Sequence, residues 1–192
     1  MRNLRATPAD LAWPCLCGLH GDEMSQIILS IDPGPVQSAW VLLDGDTIID
    51  MRIQHNEVAI DACSKPHAAG FMFDEDNPPS HLAIEMIASY GMPVGKSVFE
   101  TCVWIGRFIE RWDGPYTKVY RGEVKMNLCN SMRAKDSNIS QAIRDRYPAT
   151  GGGKTPQVGT KAQPGPLYGV KKDIWAALAV GLTWYDMQDK TT

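Results

Sequence analysis

From residue 26 onward, short apolar runs alternate with turn-forming residues, a pattern typical of buried strands and amphipathic helices. The apolar runs predict five strands, at 26–32, 38–44, 47–54, 81–86 and 117–120. Apolar residues at spacings of three and four predict helices at 95–112, 121–130, 136–147 and 171–187, with a weaker one at 56–69.

The order of these elements predicts the fold class. Asp44-Gly45-Asp46 joins the second and third strands as a hairpin signal, whereas helices separate the later strands and favour parallel crossovers. We therefore predict an α/β domain with a mixed five-stranded sheet and helices on both faces, in the ribonuclease H-like order. In that order the first strand is central and the fourth lies beside it.

Two segments stand apart from this regular pattern. Residues 1–23 contain a short apolar stretch that follows Arg2 and Arg5 and is interrupted by Pro14. This arrangement is a poor match to a secretion signal. We predict a disordered extension or a non-native start before Met24, and a single domain over 24–192. Residues 148–169 are rich in Gly, Pro, Thr and Lys without an apolar period, which predicts a mobile basic loop.

Composition narrows the class of protein. Apolar residues make up 44% of the 192, and no run approaches the roughly 18 residues of a membrane span. Five irregularly spaced cysteines favour a reducing compartment, so we expect a cytoplasmic protein. The net charge is −3, but 116–172 contains eleven Lys or Arg and three acids. A basic block beside an acidic remainder indicates either a polyanion-binding surface or a solvated helical face.

Three acids stand where apolar elements begin or end. Asp32 ends the first strand, Glu85 ends the apolar run Leu82-Ala83-Ile84-Glu85 of the fourth, and Asp173 opens the last helix. Each has an ordinary alternative, respectively a turn residue, an exposed strand end and a favourable charge at a helix N-terminus. If the strands are neighbours, the acids converge and repel one another unless cations satisfy them. The pattern therefore predicts a site for two Mg²⁺ ions, or Mn²⁺, as in enzymes that hydrolyse phosphodiesters.

Four short motifs carry a family resemblance: Ile31-Asp32-Pro33-Gly34, Ala83-Ile84-Glu85, Glu123-Val124-Lys125, and Lys172-Asp173 before an apolar helix. With these motifs the chain resembles the RuvC-type Holliday-junction resolvases, in particular phage-encoded relatives, over about residues 26–187. The resemblance implies a Mg²⁺-dependent homodimer that nicks a four-way DNA junction symmetrically, in the cytoplasm of the host if the protein is phage-encoded.

The resemblance also assigns roles to residues. Asp32, Glu85 and Asp173 would be the metal ligands, and Lys125 would act at the scissile phosphate. The family has a further acid one helical turn after the first acid of the last helix, where this chain has Ala176. Asp136 or a water molecule would take the place of that missing acid.

Other residues are candidates for contact with DNA, each with a plain structural alternative. A basic side chain can be an ordinary solvated charge, and Tyr90 can either stack on an unpaired base or pack on the core. The candidate nucleic-acid-binding residues are Arg121, Lys125, Lys135, Lys171, Lys172 and Tyr90. On the long helix, Trp104 and Phe108 are candidates for either a two-fold interface or the core.

Three functions remain open on these grounds. The leading hypothesis is an endonuclease specific for branched DNA. The first alternative is another ribonuclease H-like nuclease that acts on RNA or simple DNA. The second, motivated by Ala176, is a junction-binding protein that does not cut.

Overall fold

The computed structural model of the chain describes residues 26–64, 78–89, 91 and 93–190. The strands are β1 Ile27–Asp32, β2 Gln37–Asp44, β3 Thr47–His55, β4 His81–Met86 and β5 Tyr116–Tyr120. The helices are α1 Asn56–Ala59, α2 Lys96–Arg111, α3 Arg121–Cys129, α4 Asp136–Arg146 and α5 Ile174–Asp189. The expectations for 1–23 and for Tyr90 lie outside the described residues.

The five strands form one mixed sheet in the order β3-β2-β1-β4-β5. β1 pairs antiparallel with β2, and β2 with β3, while β1–β4 and β4–β5 are parallel. In the central pair Ile31 lies opposite Ile84, so Asp32 at the end of β1 and Glu85 one residue before the end of β4 lie at the same edge of the sheet. The predicted fold class and the central position of the first strand are confirmed.

Each face of the sheet carries its own hydrophobic layer. On one face α3, α4 and α5 cover residues such as Val41 and Ala83, and on the other α2 and the α1 region cover Leu29 and Trp40. α5 comes close to the sheet at Gly181, where a Cβ atom would lie 2.3 Å from Leu43 Cδ1. Glycine is therefore the residue that lets this helix lie on β1 and β2.

Helix α2 turns Trp104 and Phe108 towards the core rather than towards a two-fold interface. Phe108 is fully buried and Trp104 packs against the same core, with the Arg107 guanidinium 3.9 Å from its ring centroid. Phe99 and Val103, one turn apart, are the exposed apolar residues of the helix, at 60% and 63% exposure. The core interpretation therefore holds for Phe108, and the surface available to a partner is centred on Phe99 and Val103.

Two other segments differ from the sequence-based expectation. Within the weak helix predicted over 56–69, α1 is followed by a 3-10 turn at Ile60–Cys63, and residues 65–69 lie outside the described ranges. The loop predicted over 148–169 is closed by hydrogen bonds of its own backbone, and its mobility stays a prediction. For example, the Gly151 and Leu167 amides donate to the Pro156 and Gln157 carbonyls at 2.8 Å, and Leu167 is buried.

The glycines of this loop explain why the sequence pattern concealed its packing. At Gly165 a Cβ atom would lie 2.3 Å from the Pro156 carbonyl oxygen, and Gly159 has φ of +75°. Backbone therefore packs directly on backbone, which requires glycine rather than a periodic apolar side chain.

No helix in the described ranges is long and apolar enough to cross a membrane.

Candidate active site

The two strand-end acids form a close pair. Asp32 and Glu85 are largely buried, and Asp32 donates a side-chain hydrogen bond to Glu85. Burial, followed by the negative charges of Glu85 and Asp173, raises the pKa of Asp32 to about 8. Burial also raises the pKa of Glu85, against the opposing effect of Arg121. The pair therefore shares a proton near neutral pH and would release it to a bound cation.

The third acid approaches from the last helix. Asp173 is the N-cap residue of α5, and its carbonyl accepts hydrogen bonds from the Ala176 and Ala177 amides at 3.0 and 3.1 Å. In this described part of the chain its side chain makes no capping hydrogen bond. The carboxylate is exposed at the open side of the cleft, and its charge acts on Asp32.

A basic side chain enters the same space. Arg121, the first residue of α3, places Nη1 3.6 Å from Glu85 Oε1, and its Nη2 donates a hydrogen bond to Asp136 Oδ1. Burial lowers the pKa of Arg121, but the charges of Glu85 and Asp136 outweigh it and raise that pKa above its ordinary value. Arg121 is therefore a permanent positive charge that links the acid pair to α4.

These side chains line an open cleft of about 350 Å³. Acids and cations face one another in it, and an apolar wall is formed by Pro33 and Ile87, which follow β1 and β4, and by residues of α4 and α5. The lining residues are Asp32, Pro33, Glu85, Ile87, Arg121, Asp136, Ile139, Ser140, Lys172, Asp173, Trp175 and Ala176.

The donor set allows a test of the predicted metal site. In the described ranges, no three His, Cys, Asp or Glu side chains come together as a ready-made group of metal ligands. The Asp32–Glu85 pair nonetheless has the chemistry that a hard divalent cation takes, since it offers oxygen ligands whose mutual repulsion a cation would relieve. The residues present thus fit a cation at the pair, with Asp173 near the rim.

The structure brings together some of the predicted site residues and separates others. Asp32, Glu85, Asp173, Arg121 and Lys172 all line the cleft. Lys125 lies one turn along α3, in a neighbouring depression that it shares with Arg121, Gly122 and Met132.

Two further lysines lie outside that lining. Lys135 is the exposed N-cap residue of α4, where its amide donates to Asn138 Oδ1 at 2.9 Å, and Lys171 is exposed beside Lys172. The roles predicted for all of these residues, as metal ligands or as contacts with DNA, stay predictions.

Sequence reasoning did not include several cleft residues. Ser140 and Ile139 face the cleft together with Asp136, at the spacing of three and four that marks one helical face. Trp175 and Ala176 lie two and three residues after Asp173, and Ala176 is the position where the resemblance implies a further acid. Helical spacing from Asp136 was the signal that would have found Ile139 and Ser140.

The comparisons with known proteins can now be set beside this geometry. No protein-family model and no curated protein sequence matches the chain. A structure of RuvC from Thermus thermophilus superposes with a TM-score of 0.60 and 13% identity, covering 87% of this chain and 98% of that one. A structure of T. thermophilus RuvC in complex with Holliday junction substrate gives 0.60 and 14%, covering 87% and 97%. The chain has a RuvC-like fold.

Within the RuvC-like fold the sheet order, the strand-end acids and the last helix form one connected site. The structural match confirms the fold that the four motifs indicated. A phage origin stays a prediction.

Proposed function

We propose that the chain is a structure-specific endonuclease that hydrolyses phosphodiesters in branched DNA, with a four-way junction as its substrate. The observation that carries the proposal is the buried Asp32–Glu85 pair at adjoining strand ends of a RuvC-like fold. A related structure of the same fold holds a Holliday junction substrate.

The cation of this reaction would be Mg²⁺, or Mn²⁺ in its place. Asp32 and Glu85 would hold it, and Asp173 would contribute from the rim of the cleft. A bound divalent cation would polarise a phosphoryl oxygen and would lower the pKa of a water molecule. Asp32 carries the proton that must leave before the pair can act as a ligand.

The basic side chains of the protein would bind and orient the DNA backbone. Arg121 and Lys172 line the cleft itself, where they would hold the phosphate beside the acid pair. Lys125 shares the next depression with Arg121, so a strand that leaves the cleft there would meet it. Lys135 and Lys171 would add phosphate contacts that position DNA without reading its sequence. Tyr90 would stack on an unpaired base near the junction centre.

Two copies would act together. Symmetric nicking of a junction needs two active sites, and a two-fold pair presents the same surface twice. The exposed Phe99 and Val103 of α2 give such a surface an apolar centre. Three described cysteines, Cys63, Cys102 and Cys129, are free thiols, which fits the cytoplasm as the place of action.

The decisive experiment incubates a labelled four-way junction with the protein and Mg²⁺. We expect paired symmetric nicks, and we expect Asp32→Asn to lower the cleavage rate by roughly 10³-fold. Asp173→Asn is expected to reduce cleavage less, because its carboxylate is exposed at the rim. Asp145→Asn, a change on the exposed side of α4, is the matched control and should cut at the wild-type rate. An Asp32→Asn protein with normal cleavage would overturn the mechanism.

A second candidate function is junction binding without cleavage. It is favoured by the lack of a three-ligand group among the described residues, together with Ala176 in the cleft. Tight binding of the junction with no product in Mg²⁺ or Mn²⁺ would support it. Competition with a plain duplex and an RNA–DNA hybrid separates the junction endonuclease and the junction-binding protein from a general ribonuclease H-like nuclease. Only that nuclease would prefer the duplex or the hybrid to the junction.

A further inference from the structure

The charges that line the cleft do not balance. In the described structure four carboxylates face it, from Asp32, Glu85, Asp136 and Asp173, and two cations, Arg121 and Lys172. With every acid ionised the cleft carries a net charge of −2. One divalent cation neutralises that charge, whereas two would leave the cleft at +2 before any phosphate arrives.

Arg121 already occupies a place between acids. Its guanidinium binds Asp136 on α4 and approaches Glu85 on β4 to 3.6 Å, and its side chain is only 29% exposed. Glu85 is therefore shared between Asp32 on one side and a fixed positive charge on the other. A second cation at Glu85 would have to displace or lie against that guanidinium, at a cost in charge repulsion.

The last helix offers little to hold a second ion. In the described structure the first turn of α5 contains no acid beyond its N-cap residue, Asp173. The residues that follow Asp173 into the cleft are Trp175 and Ala176, whose side chains have no oxygen atoms. Hard divalent cations need oxygen ligands, so this wall of the cleft does not provide a second binding position.

We propose that the cleft binds one divalent cation, at the Asp32–Glu85 pair, and that the Arg121 guanidinium supplies the second positive charge at the scissile phosphate. The proposal rests on the function proposed above. A planar guanidinium suits this task because it can donate two parallel hydrogen bonds to phosphate oxygens. Asp136 is then a positioning residue, since it holds the guanidinium at the acid pair and touches no reacting atom.

The first test counts ions without any nucleic acid. Mn²⁺ is titrated into the purified protein, with the bound fraction measured by calorimetry and by the electron paramagnetic resonance of free Mn²⁺. We expect one Mn²⁺ per chain, lost in Asp32→Asn and retained in Asp145→Asn. Two Mn²⁺ per chain of comparable affinity would overturn the proposal. Because no DNA is present, the result is independent of whether the substrate is a junction.

The second test replaces the arginine. We expect Arg121→Gln to keep one Mn²⁺ site but to lower the cleavage rate by about a hundredfold, and Arg121→Lys to lower it less. Added guanidinium ion should restore part of the rate to Arg121→Ala and none to Asp32→Asn. Arg111→Gln, on the far face of the sheet, is the control for loss of one charge. Unchanged cleavage in Arg121→Gln would overturn the role assigned to the guanidinium.

The positioning role of Asp136 has its own readout. Asp136→Asn keeps the guanidinium but loosens it, so we expect kcat to fall while the Mn²⁺ stoichiometry and KM for DNA stay the same. A fall in Mn²⁺ binding would instead make Asp136 a metal ligand and overturn the assignment. If the protein cuts no junction but binds one Mn²⁺, the proposed function fails while the ion count stands.

Discussion

Two arginines of this protein have similar surroundings and different consequences. Arg146 and Arg121 are each 29% exposed, and each lies between two carboxylates. Arg146 donates to Asp46 at 2.8 Å and to Asp186 at 2.7 Å, and so ties α4 to the β2–β3 hairpin and to α5. Arg121 hydrogen-bonds only one of its acids, Asp136, and stays 3.6 Å from Glu85.

The difference lies in hydrogen bonding and in the number of acids. The Arg146 cluster consists of Arg146, Asp46 and Asp186. In it Asp186 also accepts a hydrogen bond from the neutral amide of Asn127, at 2.6 Å. At Arg121 a further acid, Asp32, lies beside Glu85 with its pKa raised to about 8. A cluster in which the arginine hydrogen-bonds both of its acids fastens helices together, whereas one that holds a further acid pair can take a cation and a phosphate.

The strongest way to disturb both clusters at once is Gly181→Ala. α5 carries Asp173 at one end and Asp186 near the other, and the new methyl would lie 2.3 Å from Leu43 Cδ1 and 2.9 Å from Ser30 Oγ. We expect a loss of about 2 kcal/mol in the free energy of unfolding, which lowers Tm by roughly 4–8 °C for a chain of this size. Thermal unfolding measures it.

The control for that substitution is Gly106→Ala on the exposed side of α2, where an added Cβ meets nothing within 4 Å. There the gain in helix propensity should stabilise the protein by about 0.5–1 kcal/mol. Cleavage should fall in Gly181→Ala. Equal stability of the two variants would show that α5 can move off the sheet without consequence.

A smaller change separates the two arginines. Arg146→Gln leaves Asp46 and Asp186 without their shared partner, and we expect a loss of about 1–2 kcal/mol after allowing for partial exposure. Urea unfolding measures it, and cleavage under native conditions should be unchanged. Arg121→Gln should show the opposite pattern, with near-normal stability and impaired cleavage. A loss of Mn²⁺ binding in Arg146→Gln would contradict the separation.

Much of this frame could be predicted from the sequence, because apolar runs that stop at an acid mark a strand end. The positions of Asp32 and Glu85 followed from that rule, and that of Asp173 followed from the start of the last helix. The pairing of Arg121 with Asp136, fifteen residues away, depends on how α3 and α4 cross. Arg146 reaches Asp46 across one hundred residues, and no local pattern signals that contact.

Two other features show the same limit in physical terms. Lys125 shares a face of α3 with Arg121, but the turn between them carries it into the next depression, outside the lining of the acid cleft. The 148–169 segment has no apolar period because its glycines pack backbone on backbone. Spacing predicts which residues share a face, but it does not predict how far along that face a pocket extends.

The subtlest test of the comparison is the dependence of stability on pH in the absence of divalent cations. Between its ordinary pKa of 3.8 and about 8, native Asp32 holds a proton that the unfolded chain has released. The native state then binds more protons than the unfolded state, so stability falls as pH rises through that window. The raised pKa of Glu85 acts in the same direction.

Asp32→Asn should flatten this fall, because the amide has no proton to lose. The variant should therefore exceed the wild-type protein in stability by an amount that grows with pH towards about 8. Mn²⁺ should bind the wild-type protein more tightly at the upper end of the window, since Asp32 no longer has to release its proton there. Chemical unfolding of both proteins across the window, with and without Mn²⁺, measures both effects. Parallel pH curves for the two proteins would mean that the acid pair is as well satisfied as the Arg146 cluster, and that the excess of negative charge does not govern the cleft.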